Sequence, residues 1–144
     1  MIVKIVNKSA NQYPEYKHFG DSGMDIRSNK NDFILNPLER CLVPTGLFLD
    51  IPLGYEIQVR SRSGLAINNG IMVLNSPGTV DSPYTGEICV ILINLSNTPM
   101  QINHGDRIAQ MVLQKVEHIE WEYVNEINKD TSRNESGFNS TGIK

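Results

Sequence analysis

The stretch Gly86-Glu87-Ile88-Cys89-Val90-Ile91-Leu92-Ile93-Asn94 holds the longest apolar run of the chain. Successive side chains of a strand point to opposite faces of a sheet. Both faces of this stretch are apolar, with Ile88, Val90 and Leu92 on one and Cys89, Ile91 and Ile93 on the other. Such a strand is typically buried on both sides. In a small barrel one face fills the interior, and the other needs cover, for which a partner subunit is one candidate.

Short segments rich in β-branched residues recur along the chain and are separated by turn residues. All 7 prolines come before residue 100, which leaves little room there for long helices. Many short strands with frequent turns are typical of an all-β sandwich or barrel. The clearest strand candidates are Met1–Val6, Arg40–Val43, Gly46–Ile51, Tyr55–Arg60 and Glu87–Asn94.

Two segments have helical features. Ser63–Asn69 predicts one short helix, with Ser63 as its cap and Gly70 as its end. The segment 106–119 is ambiguous, because its apolar residues fit both a helical stripe and an alternating strand. The pattern alone slightly favours the helix and leaves the strand open.

Composition fits one globular domain. The chain has 144 residues, of which 40% are hydrophobic, and a net charge of −3. That charge argues against nucleic-acid or anionic-membrane binding, which needs a basic surface. The start, Met1–Val6, lacks the features of a signal peptide. The 2 cysteines form neither a disulfide framework nor a zinc site, so we expect a reduced, cytoplasmic protein.

The C-terminal end differs from the rest. Residues 125–144 contain only three apolar residues, Ile127, Phe138 and Ile143. A segment this polar cannot bury a core. We therefore expect a folded domain over 1–124 and a mobile tail over 125–144, in which the aromatic Phe138 suggests something to stack on.

Three segments could carry chemistry, and each has a plainer interpretation. Asp81 sits between turn residues, where a rigidly held acid could orient a water or a sugar hydroxyl, although Asp also commonly caps turns. Arg60–Ala66 combines arginines and serines with a helix start, which suits an anion or an ordinary serine cap. Arg133–Gly142 is rich in glycine and hydroxyl groups without the spacing of a phosphate-binding P-loop, so a flexible tail is the plainer interpretation.

Together these segments resemble the ordered motif set of the homotrimeric dUTPase family. Five motifs occur in order over residues 22–142, and the order is far more specific than any single motif. They are Ser22-Gly23-Met24-Asp25-Ile26-Arg27-Ser28, Arg62-Ser63-Gly64-Leu65-Ala66, Gly78–Glu87, Gly105-Asp106-Arg107-Ile108-Ala109-Gln110-Met111-Val112 and Arg133–Gly142.

The resemblance implies a fold and a reaction. The fold is an all-β, jelly-roll-like barrel with one short helix and a flexible C-terminal tail, in which 106–119 is a strand. The assembly is a homotrimer with active sites at subunit interfaces. The reaction is attack of water on the α-phosphorus of dUTP, giving dUMP and pyrophosphate, with Mg²⁺ on the triphosphate. It would limit uracil in DNA and supply dUMP for dTMP synthesis.

The resemblance also assigns roles around the base and the sugar. Asp81 matches the acid that activates the attacking water and contacts the 3′-hydroxyl. Tyr84 matches the aromatic that packs under the deoxyribose and leaves no room for a 2′-hydroxyl. Asn75 matches a substrate-binding asparagine. Main-chain groups that would recognise the uracil edge lie around Thr79, Val80 and Cys89.

The remaining roles concern the phosphates and the metal. Gln110 matches a phosphate-side residue, and Asp25 matches an acid near the metal that acts through water. Phe138 would close over the uracil. The other residues matched to phosphate binding are Arg62, Ser63, Gly64, Arg133, Ser140 and Thr141.

The sequence leaves three rival functions open. A dCTP deaminase shares the fold, but it places a catalytic carboxylate on the strand after the hairpin, where Ile88–Ile93 has none. A dUTP-sensing regulator that binds a protein partner could coexist with catalysis. A sugar-binding jelly roll would give no reason for the arginine and serine set.

Overall fold

The structure is a computed structural model that describes residues 1–131. Within that range the chain forms eleven strands and one short helix. The all-β class with a single short helix is therefore confirmed. The elements are β1 Lys4–Asn7, β2 Met24–Arg27, β3 Phe33–Leu35, β4 Arg40–Pro44, β5 Leu47–Asp50, β6 Tyr55–Arg60, α1 Ser63–Asn69, β7 Ile71–Val73, β8 Gly78–Asp81, β9 Cys89–Asn94, β10 Met100–Ile102 and β11 Arg107–Lys115.

Two larger sheets and two strand pairs make up the jelly-roll-like fold. The four-stranded sheet has the order β2-β11-β6-β8, and the three-stranded sheet has the order β4-β9-β7. The pairs β1-β5 and β3-β10 complete the architecture, and all these pairings are antiparallel. Buried side chains from both larger sheets, such as Ile57 and Leu92, belong to one hydrophobic core. No helix within residues 1–131 is long and apolar enough to cross a membrane.

The apolar stretch that begins at Gly86 forms β9 at the centre of the three-stranded sheet. Its inward face is fully buried, with Val90 and Leu92 at 0% exposure. The outward residues Cys89, Ile91 and Ile93 are only half-buried. The expectation of burial on both sides therefore holds for one face within a single chain, and the other face remains partly open.

The helix α1 has the predicted bounds but a different cap. Arg62, not Ser63, occupies the N-cap position, and no side chain caps the helix start. Ser63 is already helical because the last extended residue before the helix is Arg62, two positions after the end of β6. Gly70 ends the helix as predicted, with φ of 66° and its N–H donating to the carbonyl of Ala66. A Cβ at Gly70 would lie 2.8 Å from the backbone nitrogen of Ser96, so only glycine fits there.

The ambiguous segment 106–119 is a strand over Arg107–Lys115, so the preference of the pattern for a helix was wrong and the family resemblance was right. β11 pairs with β2 on one side and β6 on the other. A register shift between Arg107 and Ala109 accompanies the consecutive buried residues Ile108 and Ala109. Met111 and Val112 are also both buried. These pairs interrupt the alternation and give the sequence its helical periodicity.

Candidate active site

The segment that connects β8 to β9, the β8–β9 turn (residues 82–88), lines one pocket between strands of the two larger sheets. Asp81 is the last residue of β8 and is exposed, and its carbonyl accepts a hydrogen bond from the Tyr84 N–H at 3.0 Å. The pocket has a volume of about 290 Å³. Five residues predicted from the sequence line it together, namely Thr79, Val80, Asp81, Tyr84 and Cys89.

The Tyr84 side chain folds back over the β8–β9 turn and stays partly exposed. Its hydroxyl donates to the carbonyl of Glu87 at 2.9 Å. A Cβ at Gly86 would lie 2.5 Å from that hydroxyl, so the ring needs the glycine beneath it. Tyr84 remains 47% exposed, which leaves its ring available to a bound molecule.

Asn75 precedes β8 and lies beside its first residue. A Cβ placed on Gly78 would come within 3.2 Å of the Asn75 side-chain nitrogen. The structure therefore places Asn75 against the start of β8, the strand that ends at Asp81.

A second group of predicted residues surrounds Asp25 on β2. The Arg62 Nε donates to one carboxylate oxygen of Asp25 at 3.0 Å, and Arg107 donates to the other at 3.3 Å. Arg62 also donates to the Arg107 carbonyl at 2.9 Å. Gln110 stands directly opposite Asp25 in the pairing of β11 with β2. Charge-assisted bonds of this kind hold both guanidinium groups in place.

Ser63 and Gly64 follow Arg62 in the exposed first turn of α1. A Cβ on Gly64 would meet nothing within 4 Å, so its surroundings are open. The backbone of this turn is thus accessible beside two arginine side chains.

Arg107 is a functional candidate whose role the sequence motifs did not predict. It bonds to Asp25 and lines a polar pocket of about 430 Å³ together with Lys17, Arg27 and Gln110. Its place in the fourth motif was the available signal, and only the structure connects it to Asp25.

The two groups of residues lie apart within one chain. Asp81 stands opposite Glu56 on β6, whereas Gln110 stands opposite Arg60. These positions differ by four residues along β6 and by two strand spacings across the sheet. The corresponding Cα separation is roughly 16 Å. That distance is too long for Asp81 and Gln110 of one chain to contact the same phosphate group.

The thiol of Cys89 is perturbed by its place in the pocket beside the β8–β9 turn. Burial raises the pKa of Cys89 above its ordinary value, and the nearby Glu87 carboxylate raises that pKa further. The side chain therefore stays a neutral thiol at neutral pH.

Within residues 1–131 no cluster of three or more histidine, cysteine or acidic side chains could hold a metal ion. Both oxygens of Asp25 face arginines, and each oxygen still has lone-pair capacity. Asp25 therefore fits contact with a hydrated Mg²⁺ through one of its waters, because Mg²⁺ usually keeps several waters in proteins. The tail residues Arg133, Phe138, Ser140 and Thr141 lie outside the described residues.

Comparison with known proteins gives one consistent family. A model of the dUTPase family matches residues 10–142. The deoxyuridine 5′-triphosphate nucleotidohydrolase of Finegoldia magna is 54% identical over 99% of both chains. The protein with the same name from Fusobacterium nucleatum is 53% identical over 97% of this chain and 96% of its own.

Solved structures agree with this result. A Staphylococcus bacteriophage 80alpha dUTPase with dUPNHPP has a TM-score of 0.85 at 26% identity and covers 99% of both chains. A dUTPase from phage phi11 of S. aureus, described with a structural Mg(II) ion, has a TM-score of 0.80 at 24% identity, with 88% of this chain and 99% of its own covered. The chain belongs to the dUTPase family.

Proposed function

We propose that this chain hydrolyses dUTP to dUMP and pyrophosphate, by attack of water on the α-phosphorus. The reaction would limit uracil in DNA and supply dUMP for dTMP synthesis. The observation that carries the proposal is the pocket beside the β8–β9 turn, which Asp81, Tyr84 and β8 line together. Relatives of more than 50% identity that carry the name deoxyuridine 5′-triphosphate nucleotidohydrolase support it.

Backbone groups of β8 and of the start of β9 suit recognition of the uracil edge. β8 lies at the edge of its sheet and, within residues 1–131, pairs only with β6. Cys89 pairs with Pro44 of β4 and lies beyond the pairing of β9 with β7. The free edges at Thr79, Val80 and Cys89 therefore offer donors and acceptors to an imide. A narrow pocket between them would exclude the methyl group of thymine.

Asp81 and Tyr84 would act on the sugar and the attacking water. The Asp81 carboxylate has no hydrogen-bond partner within the described residues, so it is free to accept from a water and from the 3′-hydroxyl. The exposed face of Tyr84 would pack under the deoxyribose and leave no space for a 2′-hydroxyl. Asn75 beside β8 would add a polar contact to the substrate.

The group around Asp25 would bind the phosphates. Arg62, Gln110 and the open first turn at Ser63 and Gly64 would neutralise and orient the triphosphate. Asp25 would accept from a water on Mg²⁺. The metal, when bound, neutralises charge on the triphosphate and on the leaving pyrophosphate. Arg133, Ser140 and Thr141 would contact the terminal phosphates, and Phe138 would cover the uracil.

We further propose a homotrimer whose sites are shared between subunits. The separation of roughly 16 Å between Asp81 and Gln110 supports it, because two chains could bring these residues to one nucleotide. The partly open apolar face of β9 also supports it. Residues 1–124 would form the barrel, and 125–144 would be a tail that closes over the substrate.

The cytoplasm is the compartment that we propose for this activity. Cys41 and Cys89 are both free, which suits a reducing environment.

Substrate profiling tests the proposed reaction. The protein is incubated with each nucleoside and deoxynucleoside triphosphate in the presence of Mg²⁺, and pyrophosphate is measured. We expect release from dUTP at a rate far above that from UTP, dCTP or dTTP. Comparable release from dTTP or UTP would contradict the proposed pocket.

A further inference from the structure

We infer that Glu87 is a positioning residue that holds Tyr84 in place and thereby sets the preference for deoxyribose over ribose. The inference rests on the role proposed above for Tyr84. It concerns a residue to which the sequence analysis gave no function.

Glu87 connects Tyr84 to a second turn through two of its own groups. Its main-chain carbonyl accepts the hydrogen bond from the Tyr84 hydroxyl at 2.9 Å. Its side-chain Oε1 accepts from the backbone N–H of Gly46 at 2.7 Å. The carboxylate thus fixes the residue whose carbonyl receives the tyrosine.

The turn that receives the Glu87 side chain is itself held by hydrogen bonds. Gly46 has φ of 73°, its carbonyl accepts from the Lys8 N–H at 2.8 Å, and a Cβ there would lie 2.8 Å from Ser9, so the glycine is closely packed. The neighbouring Thr45, exposed by only 1%, donates its hydroxyl to the carbonyl of Ile88 at 2.6 Å. The Ile88 N–H donates in turn to the Leu47 carbonyl at 2.8 Å. Glu87 therefore connects the β8–β9 turn to the hydrogen-bonded turn before β5.

Loss of the Glu87 side chain should make the position of the Tyr84 ring less well defined. The ring would still lie over Gly86, but the Glu87 carbonyl that accepts from its hydroxyl would no longer be held by the bond from Gly46 to the Glu87 carboxylate. A ring that must leave no room for one hydroxyl group depends on sub-ångström placement, and misplacement of about 1 Å can cost ~10²-fold in rate. We expect the ratio of kcat/KM for dUTP to that for UTP to fall by about tenfold in Glu87→Ala.

The experiment compares matched glutamate variants. Glu87→Ala removes the acceptor for Gly46, whereas Glu87→Gln keeps an oxygen that can accept the same bond and should preserve the ratio. Glu39→Ala is the control, because Glu39 also accepts from a backbone N–H, that of Asn36 at 2.8 Å, and does not line the pocket. Melting temperature is measured for all three, since a purely structural role would lower it and leave the ratio unchanged.

Tyrosine variants separate the inference from the proposed function. Tyr84→Ala should lower the dUTP-to-UTP ratio, and an unchanged ratio would refute the role of Tyr84 and this inference with it. If Tyr84→Ala lowers the ratio and Glu87→Ala does not, the inference alone fails. In the double variant of Glu87→Ala with Tyr84→Phe, the losses should not add, because both changes break one link. Should Glu87→Ala fail to fold, Tyr84→Phe decides, and an unchanged ratio in that variant would overturn the inference.

Discussion

Substitution of Asp81 by asparagine should separate catalysis from stability. Asparagine keeps the size of the side chain and can hydrogen-bond, but it cannot accept the proton of the attacking water. Removal of a positioned base typically costs ~10²–10⁴-fold in rate. At 1.36 kcal/mol per tenfold, this corresponds to about 3–5 kcal/mol in the activation barrier.

The same substitution should leave the fold intact. Asp81 is exposed and stands directly opposite Glu56 in the pairing of β8 with β6. Like charges opposite one another in a sheet destabilise it by roughly 0.2–1 kcal/mol. The free energy of unfolding should therefore stay level or rise by up to about 1 kcal/mol in Asp81→Asn.

Three measurements test this prediction together. Pyrophosphate release at saturating dUTP gives the turnover, calorimetry with a non-hydrolysable analogue gives the affinity, and urea unfolding gives the stability. Asp50→Asn is the matched control, because Asp50 is an exposed acid that ends β5 and forms a surface ion pair with Lys4. A turnover of Asp81→Asn within about threefold of wild type would refute the assignment of Asp81 as the water-activating group.

Two further predictions concern the tail and the Cys89 thiol. Deletion of residues 132–144 should leave the melting temperature and the oligomeric state unchanged, because within residues 1–131 every buried core residue precedes residue 116. Turnover should fall strongly, and a truncated enzyme with full activity would contradict the proposed lid. Because burial and the Glu87 carboxylate raise the pKa of Cys89, its thiolate should form only at higher pH than in a free thiol, whose pKa is about 8.5. The rate of Cys89 alkylation, measured by mass spectrometry across a pH series, should therefore increase only at higher pH than for a free thiol. A bound dUTP analogue should slow it further. A pH midpoint at or below that of a free thiol would contradict this prediction.

The sequence predicted strands of four to six residues well where apolar and polar side chains alternate regularly, but not β11, which is the longest. Tyr55–Arg60 alternates between the core and the polar face, and it forms β6 with the predicted bounds. Short strands such as Phe33–Leu35 and Met100–Ile102 were missed, since three residues are too few to show a period. They exist because they pair with each other across a long sequence separation.

Local signals also failed where tertiary pairing decided the outcome. The helical periodicity of 106–119 came from a register shift, which no local pattern shows, and the family resemblance corrected it. The N-cap is Arg62 and not Ser63, because the chain beyond β6 is still extended at Arg62.

The residues of the site could be named from the motifs, but their grouping could not. Asp81, Tyr84 and Cys89 meet in one pocket because β8 and β9 enclose it. Asp25 and Arg62 are 37 positions apart and meet only through the pairing of β11 with both β2 and β6. The signal for Glu87 was its place at the end of the third motif, but the role inferred for it depends on a contact with Gly46 that only the fold creates.

Subunit mixing tests the shared-site account most directly. Asp81→Asn and Arg62→Ala each inactivate one of the two groups, and each variant alone should have very low turnover. If the two groups of one site come from different chains, a randomly mixed 1:1 trimer population should recover roughly a quarter of wild-type activity per site. The subunits are co-refolded, the trimer is confirmed by light scattering, and dUTP turnover is measured. Activity that stays at the level of the separate variants in verified mixed trimers would contradict the account.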